Sequence, residues 1–442
     1  MSLENATPPD PSRAELETAV TPRRPSLWRQ GDFMKLWTAQ TISQFGDEIT
    51  GFALPLVAIL TLGAGPVEMG FLGVVRFLPW ILFTLPAGVW VDRMRRRPIL
   101  IAADVARAFL LASIPIAFLT GWLTIWQVYV VSFLAGTLEV FFDVAYQSYL
   151  PSIVERDELV EGNSKLELSR AASSVVGPTV AGFLIQAVRA PIAIVFDALS
   201  YLGAVLFVAL IRRHEPAPPP HDPADGKPPT MWQEARAGLG YVATSPYLRN
   251  IAACTGTLNL FGNIGQVILL LYIVRPVDQG GLGLTPATIG LIFAIGNIGV
   301  LVGALTGGRL ARAFGLGRVI IATAALSGVA MVFIPLAPRD DPFWFLVAGG
   351  IIAGFTTVAY NVNQVGLRQA ITPDRMLGRM NATMRLIVWG TIPVGALVGG
   401  FLGSIIDLQA TLWVSAAGAF LGFLPVLFSP VRNLREIPAQ AE

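Results

Sequence analysis

The residues in this 442-residue chain best placed to do chemistry are ionisable side chains set inside long apolar runs. Asp47 and Glu48 lie near the middle of the first run, Arg76 sits in the second and Asp197 in the sixth. At about 1.5 Å per helical residue, all four fall roughly 18–20 Å from the same membrane face. A charge at mid-bilayer costs about 2.5–3.5 kcal/mol, so each needs a reason. One reason is proton traffic. A carboxylate whose hydration and ionic neighbours change with conformation takes a proton on one side and releases it on the other. The competing reason is a permanent salt bridge that locks helices together. Because neighbouring helical residues point about 100° apart, Asp47 and Glu48 are expected to put only one carboxylate into a cavity.

A second group is expected closer to one membrane face. Glu139 and Asp143 are four residues apart, hence on one side of a helix, with Arg107 and Arg170 about 10–12 Å deep and Asp104 shallower. They read either as a charge lock released by protonation or as a static network near the headgroups. Farther along, Asn259, Asn263, Gln266, Asn297, Asn361, Asn363 and Gln364 offer amides. These suit hydrogen bonding to a cargo or bridging between helices; Asn259, Asn263, Asn361 and Gln364 are the candidate cargo contacts. Trp80, Phe141, Phe142, Tyr146, Tyr360 and Trp389 are candidate cavity-lining or packing aromatics.

Other chemistries lack their residues. One cysteine, Cys254, and two histidines, His214 and His221, leave no material for a metal centre or an intrachain disulfide. No G-x-x-x-x-G-K-[ST] loop exists to use ATP directly. No cofactor, metal or nucleic-acid partner is expected, because the basic residues are spread along a chain of net charge +2. The chain is not expected to be an enzyme, since no nucleophile and base cluster at one depth.

The elements that must position these residues are membrane helices. Hydrophobic residues make up 54% of the chain and charged ones 14%, about half the charged share of a soluble domain. The apolar residues fall in runs of about 20, each able to cross a hydrocarbon core of about 30 Å. The runs lack the alternation of barrel strands, and lipid leaves the backbone no other partner, so they are predicted to be helices. The expectation is an all-α integral membrane protein with twelve transmembrane helices in two six-helix bundles. These occupy 33–211 and 249–429, with a tail at 1–32, a linker with a short amphipathic helix at 212–248 and a second tail at 430–442. With the N-terminus inside, 25 Lys and Arg residues fall on the cytoplasmic side and three, Arg189, Arg275 and Arg339, on the other. Both termini are therefore expected in the cytoplasm. The proline-rich segment 212–230 is expected not to pack. The halves echo each other: GVWVDRMRRR from Gly88 and GRLARAFGLGR from Gly308 stand 220 positions apart. Duplicated halves suit a carrier with its site between two bundles.

Twelve spans, a central linker and GVWVDRMRRRP resemble the major facilitator superfamily and its G-x-x-x-D-R-x-G-R-R loop, with Arg95 where the second glycine usually stands. ADVARAFL (103–110), the stretch 150–184 and GRMNATMRLIVWGTIPVGALVGG (378–400) resemble the enterobactin-exporter and macrolide-efflux branch. The resemblance implies that Asp92, with Arg93, Arg96 and Arg97, helps hold the halves together on the cytoplasmic side when the other side is open. The competing reading makes the arginines topology anchors. Arg312 stands where the second copy would carry its aspartate. Gly177, Pro178 and Gly182 resemble the G-P-x-x-x-G pattern of exporters, a kinked and closely packed helix. The expected function is a proton-coupled exporter of lipophilic or amphipathic small molecules such as drugs, siderophores or secondary metabolites. It would work by alternating access, as a monomer, in the cell membrane. An importer or symporter of a small nutrient is the alternative, and a receptor or membrane enzyme fits less well.

Overall fold

A computed structural model of the chain describes residues 26–213, 215 and 231–436. The described residues are helical throughout, with no strand among them. The N-terminal half comprises α1 (Gly31–Leu56), α2 (Pro66–Asp92), α3 (Arg96–Leu119), α4 (Ile125–Ile153), α5 (Leu159–Val188) and α6 (Ala190–Ala209). A short helix, α7 (Met231–Thr244), follows the linker. The C-terminal half comprises α8 (Pro246–Val274), α9 (Pro286–Gly296), α10 (Ile298–Phe314), α11 (Leu316–Val332), α12 (Phe343–Ala370), α13 (Asp374–Ile405), α14 (Leu408–Leu421) and α15 (Leu424–Leu427).

Local signals set many of the helix starts. Pro66, Pro246 and Pro286 occupy opening turns, where their missing N–H costs nothing. Thr124, Ser245 and Thr285 accept from the N–H groups of Gln127, Leu248 and Thr288 at 3.4, 3.4 and 3.3 Å. Asp407 caps α14 through Ala410 N at 2.8 Å, and holds φ 122°, a conformation non-glycine residues seldom adopt. Pro55 interrupts the hydrogen-bond ladder of α1, which continues as a π turn over Val57–Thr61.

Ten helices among the described residues are long and apolar enough to cross a membrane, with α9 and α10 forming one such stretch broken at Asn297. The other two of the twelve expected spans fall on α1 and on α11. The first carries Asp32, Lys35, Asp47 and Glu48 together with Gln40 and Gln44, and the second is apolar but only 17 residues long.

Three buried clusters organise the packing. One draws on both halves, joining Ile49–Ile59 of α1 and its π turn to Ile268–Val274 of α8 and to Ile289 and Ile292 of α9. The second contains only N-terminal-half residues, from Leu27 to Ile211, and the third only residues from Val242 to Val431. The halves therefore share a core at one end and keep separate cores at the other. At the shared end the backbones almost touch: a Cβ on Gly70 of α2 would lie 2.9 Å from the Ala396 carbonyl of α13.

The segments after each half pack more than the sequence led us to expect. In the linker, the N–H groups of Arg212 and Arg213 donate to Asp32 at 3.2 and 2.9 Å, and Glu215 is buried against the start of α3. Burial pushes the Asp32 carboxyl up, but Lys35 at 2.7 Å and the two backbone donors outweigh it and hold it below its ordinary value. Beyond α15, Val431 is fully buried, and the carbonyls of Leu434 and Arg435 accept from Gly317 N and Leu316 N at 2.9 and 3.0 Å. That stretch is a strap rather than a free tail. Composition hid both features, because a proline-rich or polar segment still packs where backbone donors at a helix start lack partners. The rest of the two tails and of the linker, His214 and His221 included, lies outside the described residues.

Candidate functional site

A cavity of about 630 Å³ lies between the halves, beside their shared core. Its N-terminal wall carries Asp47 and Glu48 of α1, Arg76 and Trp80 of α2 and Glu139 of α4; Asn263 and Gln266 of α8 face them across an otherwise apolar surface. Both adjacent carboxylates reach this cavity, contrary to the one expected. The wall wraps around α1, so two faces of the helix border the same space. Asp47 turns toward α3 and α6, whereas Glu48 lies over α5. A Cβ on Gly177 would sit 2.6 Å from the Glu48 Cβ, so this glycine makes room for a carboxylate-bearing side chain.

Asp47 is the exposed end of a buried polar chain. Its Oδ1 accepts a short hydrogen bond from the Tyr201 hydroxyl of α6, and its side chain is 42% exposed. Tyr201 in turn accepts from Arg107 Nη1 at 3.3 Å, and the same nitrogen lies 3.9 Å from Asp47. Arg107 closes the chain on Asp104, which is 1% exposed. The guanidinium is stacked between the Phe142 and Tyr201 rings, 4.6 and 4.2 Å from their centroids. A buried guanidinium is tolerable only when paired and hydrogen-bonded, and here two carboxylates and two aromatic faces do that work.

This arrangement differs from the two depth levels read from the sequence. Arg76 does not pair with Asp47; its Nη1 donates to the Gly51 carbonyl at 3.4 Å while the side chain remains exposed in the cavity. Arg107, expected in the shallower group, joins Asp47: the apolar run opens at Ile99, but α3 begins at Arg96, three residues earlier. That carries Arg107 about 4–5 Å deeper. Asp197 is not among the residues lining this cavity: it is fully buried, its Oδ1 accepting from Ser200 Oγ at 3.0 Å while its Oδ2 takes no hydrogen bond among the described residues. The expected lower group disperses. Glu139 faces the cavity, Asp143 accepts from Gln147 Nε2 at 2.8 Å, and Arg170 pairs with Glu167 one turn earlier, both exposed.

Three of the seven candidate amides bridge helices. Asn259 donates to the Val388 carbonyl of α13 at 3.2 Å, and Asn297 to the Ser174 carbonyl of α5 at 2.5 Å, which ties the halves together. Asn363 donates to Gly307 and Ala359 carbonyls, and Gln364, which is buried, donates to exposed Asn361 at 3.2 Å. Asn263 stays in the cavity wall, its Nδ2 held by the Asn259 carbonyl at 2.8 Å. Among the aromatics, Trp80 lines the cavity and meets Trp389 edge-on; Tyr360 is buried with its hydroxyl 2.7 Å from Thr255 Oγ1, and Tyr146 stacks on Phe142.

Pro178 and Gly182 belong to the contact between α5 and α9. A Cβ on Gly182 would collide with the Pro286 carbonyl, and Thr179 reaches the Gly290 carbonyl at 3.5 Å. At the opposite, separate-core end, Asp92 and Arg93 are exposed at the close of α2, and Asp92 makes no ion pair among the described residues. Arg96 and Arg97 turn toward Glu215 and the Ala209 carbonyl. Among the described residues no three His, Cys, Asp or Glu side chains are grouped to hold a metal.

A family model described as "Transmembrane secretion effector" matches residues 24–441. The chain belongs to that family. It is thereby a membrane transporter of the major facilitator superfamily and not an enzyme. It is 24% identical over 409 residues to macrolide efflux protein A of Streptococcus pyogenes, covering 92% of this chain and 97% of the relative. It is 23% identical over 413 residues to the enterobactin exporter EntS of Citrobacter koseri, covering 92% and 94%. Among solved structures, a bacterial homologue of the iron transporter ferroportin in its inward-facing state shares the fold. Its TM-score is 0.70 at 16% identity, over 91% of this chain and 99% of that one. In this family member, Tyr201 and Glu215 escaped the sequence reading. Tyr201 follows Asp197 by four residues, which places them on one helix face and was the available signal.

Proposed function

We propose that this chain is a proton-coupled exporter of lipophilic or amphipathic small molecules, such as a drug, a siderophore or a secondary metabolite. It works as a monomer by alternating access between two six-helix bundles, 33–211 and 249–429, in the cell membrane. Both termini and the linker face the cytoplasm. The observation that carries this reading is the cavity itself. It is set between halves that share a core at one end only, with carboxylates and Arg76 on one wall and an apolar, amide-bearing wall opposite. The Lys and Arg bias supports the orientation, and it puts the separate-core end, with its 93–97 loop, in the cytoplasm.

In this scheme cargo enters from the cytoplasmic end and lies against Trp80, Phe77 and Phe293, while Asp47 and Glu48 exchange protons with whichever side is wet. Closing the cytoplasmic end brings the Asp92 loop against the other half and opens the shared-core end. Cargo and proton shift this equilibrium only through different affinities for the two states. The test is efflux of macrolides and lipophilic dyes from cells overexpressing the protein, with and without a protonophore. Loss of labelled compound that stops when the proton gradient collapses is the expected result. Net accumulation, or efflux indifferent to the protonophore, would refute this function.

A further inference from the structure

The two segments that follow the halves cover matching helix starts with different chemistry. After α6, the Glu215 carboxylate accepts from Arg96 N and Arg97 N at 2.6 and 3.1 Å and lies 3.7 Å from the Arg96 guanidinium. The protein supplies its own anion there. The 220-position offset between the loop copies carries Arg96 and Arg97 to Leu316 and Gly317, which open α11. Their N–H groups are taken by the carbonyls of Arg435 and Leu434.

The same offset carries Asp92 to Arg312 and Glu215 to Arg435, while Arg212 becomes Arg432, another arginine. Both acids have become bases. With Arg318 these side chains line a pocket of about 470 Å³ in which Glu436 is the one carboxylate among the lining residues. All four arginines are exposed, and none is ion-paired among the described residues. Four like charges around so small a space repel one another unless an anion enters. Guanidinium groups in that number match phosphate oxygens in charge and fork geometry. Phe314, 63% exposed, lines the same pocket and gives it an apolar flank. Under the proposed orientation, the pocket stands at the headgroup level of the cytoplasmic leaflet, where basic pockets attract acidic lipids.

We propose that this pocket binds a phosphate group, that of an anionic phospholipid in the adjoining leaflet, in place of the carboxylates the C-terminal half lacks. The site is separate from the transport cavity, and its test needs no knowledge of cargo.

Phosphatidylglycerol titrated into the purified full-length protein in neutral detergent should bind, by native mass spectrometry, and raise the unfolding temperature. Phosphatidylcholine should do neither. In Arg312→Gln/Arg435→Gln the affinity should fall about thirtyfold, or about fivefold per arginine removed. The Arg435 carbonyl that caps α11 is untouched by this change. A second variant, Arg435→Glu, installs the acid found in the N-terminal half; it should unfold no lower than the wild type without phosphatidylglycerol and ignore its addition. Equal binding of phosphatidylcholine, an unchanged affinity in the double variant, or a full response of Arg435→Glu to phosphatidylglycerol would overturn the site. Inorganic pyrophosphate competing with phosphatidylglycerol while giving little stabilisation alone would support it. Stabilisation by pyrophosphate as large as that by the lipid would overturn the lipid as the source.

Discussion

In the N-terminal half, Arg107 is buried between two aromatic rings with Asp104, Asp47 and Tyr201 around it, and Asp197 is sealed one turn away from Tyr201. The C-terminal half buries hydroxyls and amides: Tyr360 against Thr255, Asn363 against the Gly307 carbonyl, Gln364 beside Asn361. A neutral hydrogen bond holds its geometry whatever the proton supply. A charged chain that ends at a cavity-exposed carboxylate does not, because protonating Asp47 removes the partner that Tyr201 and Arg107 face. In the proposed scheme, response to protons therefore belongs to the first half and a fixed, largely apolar wall to the second.

The largest effect that would break this comparison is at Asp47. Asp47→Asn keeps the size and much of the hydrogen bonding of the side chain but cannot gain or lose the proton. Uphill, protonophore-sensitive efflux should drop to background, while cargo binding and downhill exchange persist. Glu48→Gln should lose less, since Glu48 lies over Gly177, away from Arg107. Uphill efflux retained by Asp47→Asn would move the role to Glu139, the third carboxylate on this wall.

Stability sharpens the same contrast. Arg107→Met leaves Asp104 buried without its cation, and breaking such a pair costs about 3–5 kcal/mol. Tyr360→Phe removes one neutral hydrogen bond from the other half, a loss of about 1 kcal/mol. Thermal unfolding in detergent should rank the two variants in that order. Comparable losses would mean that the charged chain is no more costly to break than an ordinary hydroxyl pair.

The charges inside apolar runs were legible because insertion costs make every one of them conspicuous. Asp47, Glu48 and Arg76 do meet at one cavity. Their pairing was not legible. Arg107 was misplaced by a helix start three residues early, and a hydrogen-bonding tyrosine looks like any other aromatic in an apolar run. The amides show the same limit: Asn259 and Asn263 are four residues apart on one helix, yet one bridges to α13 and the other stays in the cavity wall. That choice belongs to tertiary packing, which no spacing rule contains. Glu215 was hidden for a different reason. Its partners are backbone N–H groups, which carry no signature in the sequence.

The smallest expected effects lie in the straps, and they separate carboxylate caps from carbonyl caps. Glu215→Gln should cost about 0.5–1 kcal/mol, since the charge it loses faces the start of α3 and the Arg96 guanidinium. Asp32→Asn should cost about 1 kcal/mol by weakening its bonds to Lys35, Arg212 N and Arg213 N. The pH window of the second follows from the direction of its shift. A carboxyl held below its ordinary value of 3.8 stabilises the fold fully above that value and loses the contribution only as pH falls through the lower, folded one. The gap in unfolding temperature between wild type and Asp32→Asn should therefore be the same at pH 7.5 and pH 5.5, and close only in stronger acid. A gap already gone at pH 5.5 would show that the Asp32 contacts do not hold its proton off. The strap after α15 caps α11 through carbonyls, so Arg435→Gln in neutral detergent should change the unfolding temperature little at either pH.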